Sequence, residues 1–209
     1  VIEIKDGLLG NTAGYDLNSL GHRCKELSEL NFKKYFLFVG DQIGLGFDSP
    51  IYETFPYLIS KKLNHNYYNL CVFNGGADAI KYNTISWLFK YKQIMPKAIF
   101  VASEFVNSLI ISDNNLTYLG PADYNDDVIK DFADGSNNIG FYRGRNHLLT
   151  SLITNNINVP IYYLNLKDKE QLFDDKVFVV DYTGDLRNQT AISNKFIELY
   201  SQNNSVARP

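Results

Sequence analysis

Four short segments carry side chains suited to chemistry, each where an apolar run ends: Gly40-Asp41-Gln42, Asn74-Gly75-Gly76, Ser103-Glu104 and Gly184-Asp185-Leu186-Arg187-Asn188. Asp41 and Asp185 are carboxylates, and a carboxylate pair does acid and base work when its surroundings push the two pKa values apart. Asp41 is equally suited to holding its turn through backbone hydrogen bonds. Gln42 and Asn188 are amides, able to donate and accept hydrogen bonds but unable to attack a carbonyl or exchange a proton near neutral pH. Gln42 therefore reads either as a ligand contact or as a plug on a pocket floor. Gly75 and Gly76 follow the second of these runs, and Asn107 lies in the loop after the third.

Other reactive residue types lack the spacing that chemistry needs. His22, His65 and His147 stand far from one another and from Cys24 and Cys71, so no metal-ligand pattern forms. The two cysteines, with no CxxC spacing, read as buried thiols of a reducing compartment. Asp123, Asp126, Asp127, Asp131 and Asp134 crowd one stretch, but not with the spacing of a calcium loop. Gly44 and Gly46 give a G-x-G without the further glycine or lysine of a nucleotide site. No metal and no cofactor are expected.

The elements that must position these residues follow from periodicity. Short β-branched and aromatic runs at Tyr35–Val39, Tyr67–Phe73, Ala98–Ala102, Val159–Leu164 and Val177–Asp181 predict five strands. Helical spacing fills Glu53–Leu63, Ala77–Tyr91, about Ile139–Asn156 and about Thr190–Ser201. Alternation of this kind, with right-handed crossovers, predicts an α/β fold: a three-layer α/β/α sandwich, flavodoxin-like, around a central five-stranded parallel sheet. Residues 1–33 lack the alternation and read as an N-terminal extension packed on a domain of residues 34–204, followed by a tail at 205–209. Within the domain, 104–138 is rich in Asp, Asn and Gly and reads as a surface excursion with room for a short helix. Ligands of such sheets bind beyond the carboxyl ends of the strands, where the four segments fall.

Gly40-Asp41-Gln42-Ile43-Gly44-Leu45-Gly46, then Glu53-Thr54-Phe55-Pro56-Tyr57-Leu58, then Asn69-Leu70-Cys71-Val72-Phe73-Asn74-Gly75-Gly76, resemble the opening of an SGNH (GDSL-like) hydrolase. Asn18-Ser19-Leu20-Gly21-His22-Arg23 resembles the segment that precedes the first strand in that family. Gly184-Asp185-Leu186-Arg187-Asn188 stands in the place of its Asp-x-x-His block. The resemblance runs from about residue 18 to 200 and implies the SGNH fold and an ester-cleaving Ser-His-Asp triad. Against that pattern, Gln42 replaces the nucleophilic Ser, Asn188 replaces the His, and Asp185 alone remains. The resemblance further implies oxyanion donors, a role in which Gly75 or Gly76 can present a backbone N–H; no G-x-N-D block follows the third strand, where the chain reads Ala102-Ser103-Glu104-Phe105-Val106-Asn107, so Asn107 joins them only if its loop folds back into the crevice. Loss of a triad removes about 10⁴ to 10⁶ in turnover.

The expectation is therefore a catalytically degenerate member, a pseudoenzyme whose crevice or surface serves binding or assembly. The alternative is an active esterase or acyltransferase on carbohydrate or lipid esters that recruits non-standard residues. The N-terminal segment and the Asn- and Lys-rich composition are similar to SGNH-like proteins of phages and marine microbes, which implies a virion or host-interaction role. A protein partner or a second copy is expected, with a carbohydrate as a further candidate ligand. With 20 Lys+Arg against 23 Asp+Glu in 209 residues the net charge is −3, which speaks against nucleic acid as a partner. No apolar stretch approaches the roughly 18 residues of a membrane span. The chain opens at Val1 without a recognisable leader, so a soluble protein, cytoplasmic or virion-associated, is expected.

Overall fold

Tyr35–Gly40, here β1, is buried along its whole length, and its side chains part by period two onto two different cores. That is the signature of a strand covered on both faces. The structure is a computed structural model that describes residues 17–46, 49–72, 77–103, 109–113, 115–119, 158–165 and 177–206. For 77–79, 81, 109–113, 115–119 and 206 it describes the backbone alone.

The remaining strands are β2 (Asn66–Asn69), β3 (Ile99–Ala102), β4 (Leu109–Asp113), β5 (Asn115–Leu119), β6 (Ile161–Asn165) and β7 (Val177–Asp181). The helices are α1 (Gln42–Leu45), α2 (Phe55–Leu63), α3 (Ala77–Lys90) and α4 (Gln189–Val206), with short 3-10 turns at Leu27–Glu29 and Ile51–Glu53. Five strands pair in parallel in the order β2-β1-β3-β6-β7. This is the flavodoxin-like order and the predicted five-stranded sheet.

One face carries Tyr35, Leu37, Val39, Ile99, Val101 and Tyr163 against Ile80, Trp87 and Leu88 of α3 and against Cys24 and Leu30 of the N-terminal strap. The other carries Phe36, Phe38, Phe100 and Tyr162 against Phe55 and Ile59 of α2 and Ile192 and Phe196 of α4. Phe38, Phe100, Tyr162 and Phe178 stack across four strands with centroids 4.9 to 5.2 Å apart. Much of the aromatic abundance is thus spent on this layer.

Several element ends differ from the sequence expectation, each for a local reason. Pairing as a regular strand stops at Asn69, although Leu70 and Val72 still donate to the carbonyls of Phe38 and Gly40. Asn69 Oδ1 has turned to accept from the Cys71 N–H. β6 begins at Ile161 because Pro160 has no N–H to give, while its carbonyl still accepts from Ile99. The expected helix from Glu53 splits into the 3-10 turn and α2, with Pro56 in the first turn of α2 and Asn64 ending it in the left-handed region. α4 runs on to Val206, past the boundary expected at residue 204. In the excursion, β4 and β5 form an antiparallel hairpin where a short helix was allowed for. The helix expected at about 139–156 lies outside the described residues.

Candidate functional site

β1 lies between β2 and β3, so the chain winds outward in both directions from its carboxyl end, the place beyond which sheets of this kind bind their ligands. The turn after β1 is built by Asp41. Its Oδ1 accepts from the Ile43 N–H at 3.0 Å, which caps the single helical turn of α1. Its Oδ2 accepts from the Ser103 hydroxyl at 2.9 Å, which ties in the end of β3. Asp41 is fully buried, and these bonds make it the structural anchor of the turn.

α1 is closed at its other end as firmly. Gly46 takes φ +84°, the left-handed conformation of a helix C-cap, and donates to the carbonyls of Gln42 and Ile43. The Arg23 guanidinium, reaching from the strap, donates to the carbonyls of Leu45 and Ser49. A cation against the last carbonyls of a helix also opposes its dipole. Asn69 Nδ2 donates to the Gly44 carbonyl at 2.9 Å, so β2 holds α1 from the side.

Gln42, the first residue of α1, is buried with 8% of its surface exposed. Its Oε1 is out of reach of solvent and has no hydrogen-bond partner among the described residues. Such an unmade bond costs about 1–3 kcal/mol.

Asp185 and Asn188 lie on the turn that leads into α4 and are both exposed. Asp185 Oδ1 accepts from the Arg187 N–H, and Asn188 Oδ1 accepts from the Ala191 N–H, so Asn188 is the N-cap of α4. The Asp185 carbonyl accepts from the Tyr182 hydroxyl. Burial, with the Asp185 charge second, holds the Tyr182 phenol above its usual range.

Gln189, which sequence reasoning passed over, joins this turn to α1. Its Oε1 accepts from the Phe55 N–H at 3.0 Å, and its Nε2 donates to the carbonyls of Ile43 and Leu186. One buried amide thus links the starts of α2 and α4 to the backbone beside Gln42. The signal in the sequence was an Asn-Gln pair opening an amphipathic run, which is an N-cap followed by an inward polar residue.

Replacement chemistry has little to draw on among the described residues. The Cys71 thiol, fully buried, is pushed well up by desolvation and then by the Asp41 charge, which keeps it protonated and unreactive. Burial pushes Cys24 up to about 12. His22 Nδ1 is hydrogen-bonded to the Tyr68 hydroxyl at 2.8 Å. His65 stacks on Phe36, four residues and about 13 Å along β1 from the crevice end. No group of three or more His, Cys, Asp or Glu fit to hold a metal occurs among the described residues. No described helix is long and apolar enough to cross a membrane. Gly75, Gly76, Asn107, His147 and the five clustered aspartates lie outside the described residues.

No protein-family profile matches the chain, and no curated protein sequence does either. Solved structures do. A member of the lipolytic G-D-S-L family from Veillonella parvula superposes with a TM-score of 0.50 at 12% identity, covering 80% of this chain and 98% of that one. An acetyl xylan esterase from Butyrivibrio proteoclasticus gives a TM-score of 0.52 at 14% identity, over 85% of this chain and 66% of that one. A carbohydrate esterase whose active site displays divergent catalytic and non-catalytic binding functions gives 0.50 at 13% identity, over 85% of this chain and 68% of that one. At such identities the likeness is one of fold: the chain has the SGNH-hydrolase fold, as the sequence resemblance implies.

Proposed function

We propose that this chain is a disarmed SGNH-fold protein, in which the crevice and the surface serve binding or assembly and ester cleavage is lost. The observation that carries the reading is Gln42. The residue after Gly40-Asp41, where the resemblance calls for an attacking hydroxyl, is a carboxamide whose oxygen is buried and unbonded among the described residues. A carboxamide nitrogen is delocalised into the carbonyl and has no free pair with which to attack. Asn188 supports the reading, because its side-chain oxygen is engaged in capping α4 and an amide takes up no proton near neutral pH. Asp185, the third member of the pattern, then has no imidazole to orient. The virion or host-interaction role that the composition implies, and a carbohydrate as ligand of the old crevice, belong to the same reading.

The fold neighbours favour one alternative: an active esterase or acyltransferase on carbohydrate or lipid esters, working through non-standard groups such as Asp41 with Asp185.

Hydrolysis of a short-chain aryl ester separates the two. The native chain is expected to give no turnover above background, and the Gln42→Ser, Asn188→His double variant a measurable gain. Turnover by the native chain at ordinary enzyme rates, or a covalent acyl adduct on it, overturns the disarmed reading.

A further inference from the structure

The amino end of the sheet, opposite the crevice, is built from lysine-rich segments. In a parallel sheet every strand starts at the same end, so the segments that lead into β1, β2 and β3 share one side of the molecule. Lys33 and Lys34 lead into β1, and the Lys34 carbonyl accepts from the Asn66 N–H at the start of β2. Lys61 and Lys62 stand in the last turn of α2, just before β2. Lys90 closes α3, Lys92 follows it, and Lys97 gives its N–H to the Tyr35 carbonyl just before β3. All of these lysines are exposed.

No aspartate or glutamate occurs in residues 31–34, 61–66 or 89–98. None occurs in 199–206 either, the end of α4, which reaches the same place: Tyr200 lies against Phe36 and His65. The nearest described acids along the chain are Glu29 and Glu198. His65 sits among the lysines, near enough that the charges of Lys34 and Lys97 both oppose its protonation. The whole chain is net −3, so the excess of acid lies elsewhere, with Asp41, Asp181 and Asp185 at the crevice end.

Helix dipoles explain only part of this pattern. A lysine in the last turn opposes about half a charge at a helix C-terminus, which accounts for one ammonium each on α2 and α3. Lys33, Lys34 and Lys97 stand on no helix. With α2 on one face of the sheet and α3 on the other, the ammoniums spread over about 20 Å, too far to close on one small anion. The partner that fits is a broad anionic surface.

No arginine occurs in these segments, and lysines are point charges suited to diffuse attraction rather than to the bidentate reading of single phosphates. An apolar group stands among them. Phe89, in the last turn of α3, is 78% exposed, with the Lys92 ammonium 6.0 Å from its ring centre. Ammoniums around an exposed ring suit a bilayer surface, where the charges meet lipid phosphates and the ring enters the headgroup layer. A flat surface also meets only this end of the molecule and leaves the acidic remainder in water.

We propose that the amino end of the sheet docks on anionic lipid bilayers, with the lysines that precede β1, β2 and β3 on the phosphates and Phe89 in the headgroup layer. This stands whether or not the crevice is disarmed, because it uses none of the crevice residues.

Flotation of the intact chain with lipid vesicles tests it. With about 30% phosphatidylserine in phosphatidylcholine the chain is expected to bind at about 0.05 M salt and to be released at about 0.5 M. With phosphatidylcholine alone it is expected to stay unbound. Lys62→Glu with Lys97→Glu is expected to weaken binding at least about tenfold. Lys25→Glu with Lys195→Glu makes the same change in net charge at exposed positions away from this end, and is expected to leave binding within about threefold. Phe89→Ser is expected to weaken binding at least about threefold with an unchanged salt dependence. Because every substituted position is exposed, the variants keep their fold, which circular dichroism verifies. No binding to the anionic vesicles, or equal loss in the two charge pairs, overturns the proposal. Release from the vesicles by an oligonucleotide at matched phosphate concentration overturns it as well, by assigning this end to nucleic acid.

Discussion

The Ser103 hydroxyl donates to Asp41 Oδ2 at 2.9 Å, tying the end of β3 to the turn that follows β1. The same carboxylate caps α1 through the Ile43 N–H. Because Asp41 is fully buried, truncating it orphans both donors inside the protein. Asp41→Ala is expected to cost about 2–4 kcal/mol and Ser103→Ala about 1 kcal/mol, read from urea denaturation at neutral pH. Equal costs for the two would mean that the cap contributes nothing beyond the hydroxyl bond.

Gln189 gives a second test of how the crevice is held. Its side chain satisfies the Phe55 N–H and the Ile43 carbonyl from one buried position. Gln189→Ala leaves both without a partner and is expected to cost about 2–4 kcal/mol. Gln189→Glu keeps the acceptor for Phe55 but turns a second acceptor toward the Ile43 carbonyl, and is expected to recover little of the loss. Chemical denaturation of both variants checks this, and full stability in Gln189→Glu would contradict the assigned bonds.

The sheet was legible because its strands are short and bounded by turns, and because the order of motifs left few ways to wind it. Val177–Asp181 has the expected ends, and Tyr35–Val39 misses only Gly40. The hairpin of β4 and β5 was not foreseen. The run Leu109–Asp113 alternates poorly, and it lies in a stretch rich in Asp, Asn and Gly that reads as a surface excursion. At the site, the residues that follow strands were legible, since strand ends are punctuated by Gly, Asn and Asp. What those side chains do was less so. Asn188 was read only as an absent histidine, yet in the structure it is a helix cap, because Asn accepts an N–H two or three residues on as readily as Asp or Ser. Arg23 and Gln189 were not foreseen as clamps on α1, since their partners are backbone carbonyls and an N–H that carry no sequence signature.

Gln42 is expected to be a stability liability. Its buried oxygen has no partner among the described residues, so replacing the carboxamide by a thioether of similar length removes an unmade bond at little change in volume. Gln42→Met is expected to raise stability by about 1 kcal/mol, seen as a higher denaturation midpoint with an unchanged slope. A loss of stability would mean that the amide contributes more through its nitrogen than its oxygen costs.

Two histidines set an acid limit on stability. Burial lowers the pKa of His22, held against the Tyr68 hydroxyl, below its ordinary 6.5. His65, stacked on Phe36, is lowered first by burial and then by the charges of Lys34 and Lys97, against a raising hydrogen bond to the Leu63 carbonyl. A folded pKa below the unfolded one means that the unfolded chain binds more protons in between. The stability from the neutral rings is therefore fully present above about pH 6.5 and is lost as pH falls through the lowered values. Urea midpoints taken at half-unit steps from pH 7.5 to pH 5 are expected to fall, and to fall less in His22→Asn and in His65→Asn. Flat midpoints in the native chain would contradict both assignments.

Gly44 and Cys71 offer a packing test next to Gln42. A Cβ placed on Gly44 would lie 2.1 Å from Cys71 Sγ and 3.0 Å from its Cβ, so α1 approaches the segment just past β2 as closely as it does only because residue 44 has no side chain. Asn69 Nδ2 fixes that approach by donating to the Gly44 carbonyl, which leaves α1 little room to retreat. Gly44→Ala is expected to cost about 1–3 kcal/mol through overpacking, even though alanine is the better helix former. Removing the sulfur relieves the worst contact, so Gly44→Ala with Cys71→Ala is expected to be less destabilised than the two single costs added together. A double-mutant cycle in urea reads the coupling directly, and additivity within about 0.3 kcal/mol would mean that the two residues do not press on each other. Because Gln42 stands two residues before Gly44 on the same turn, the Gly44→Ala strain should also reach the crevice floor. In the Gln42→Ser, Asn188→His background it is then expected to lower ester turnover while the Cys71→Ala partner restores it.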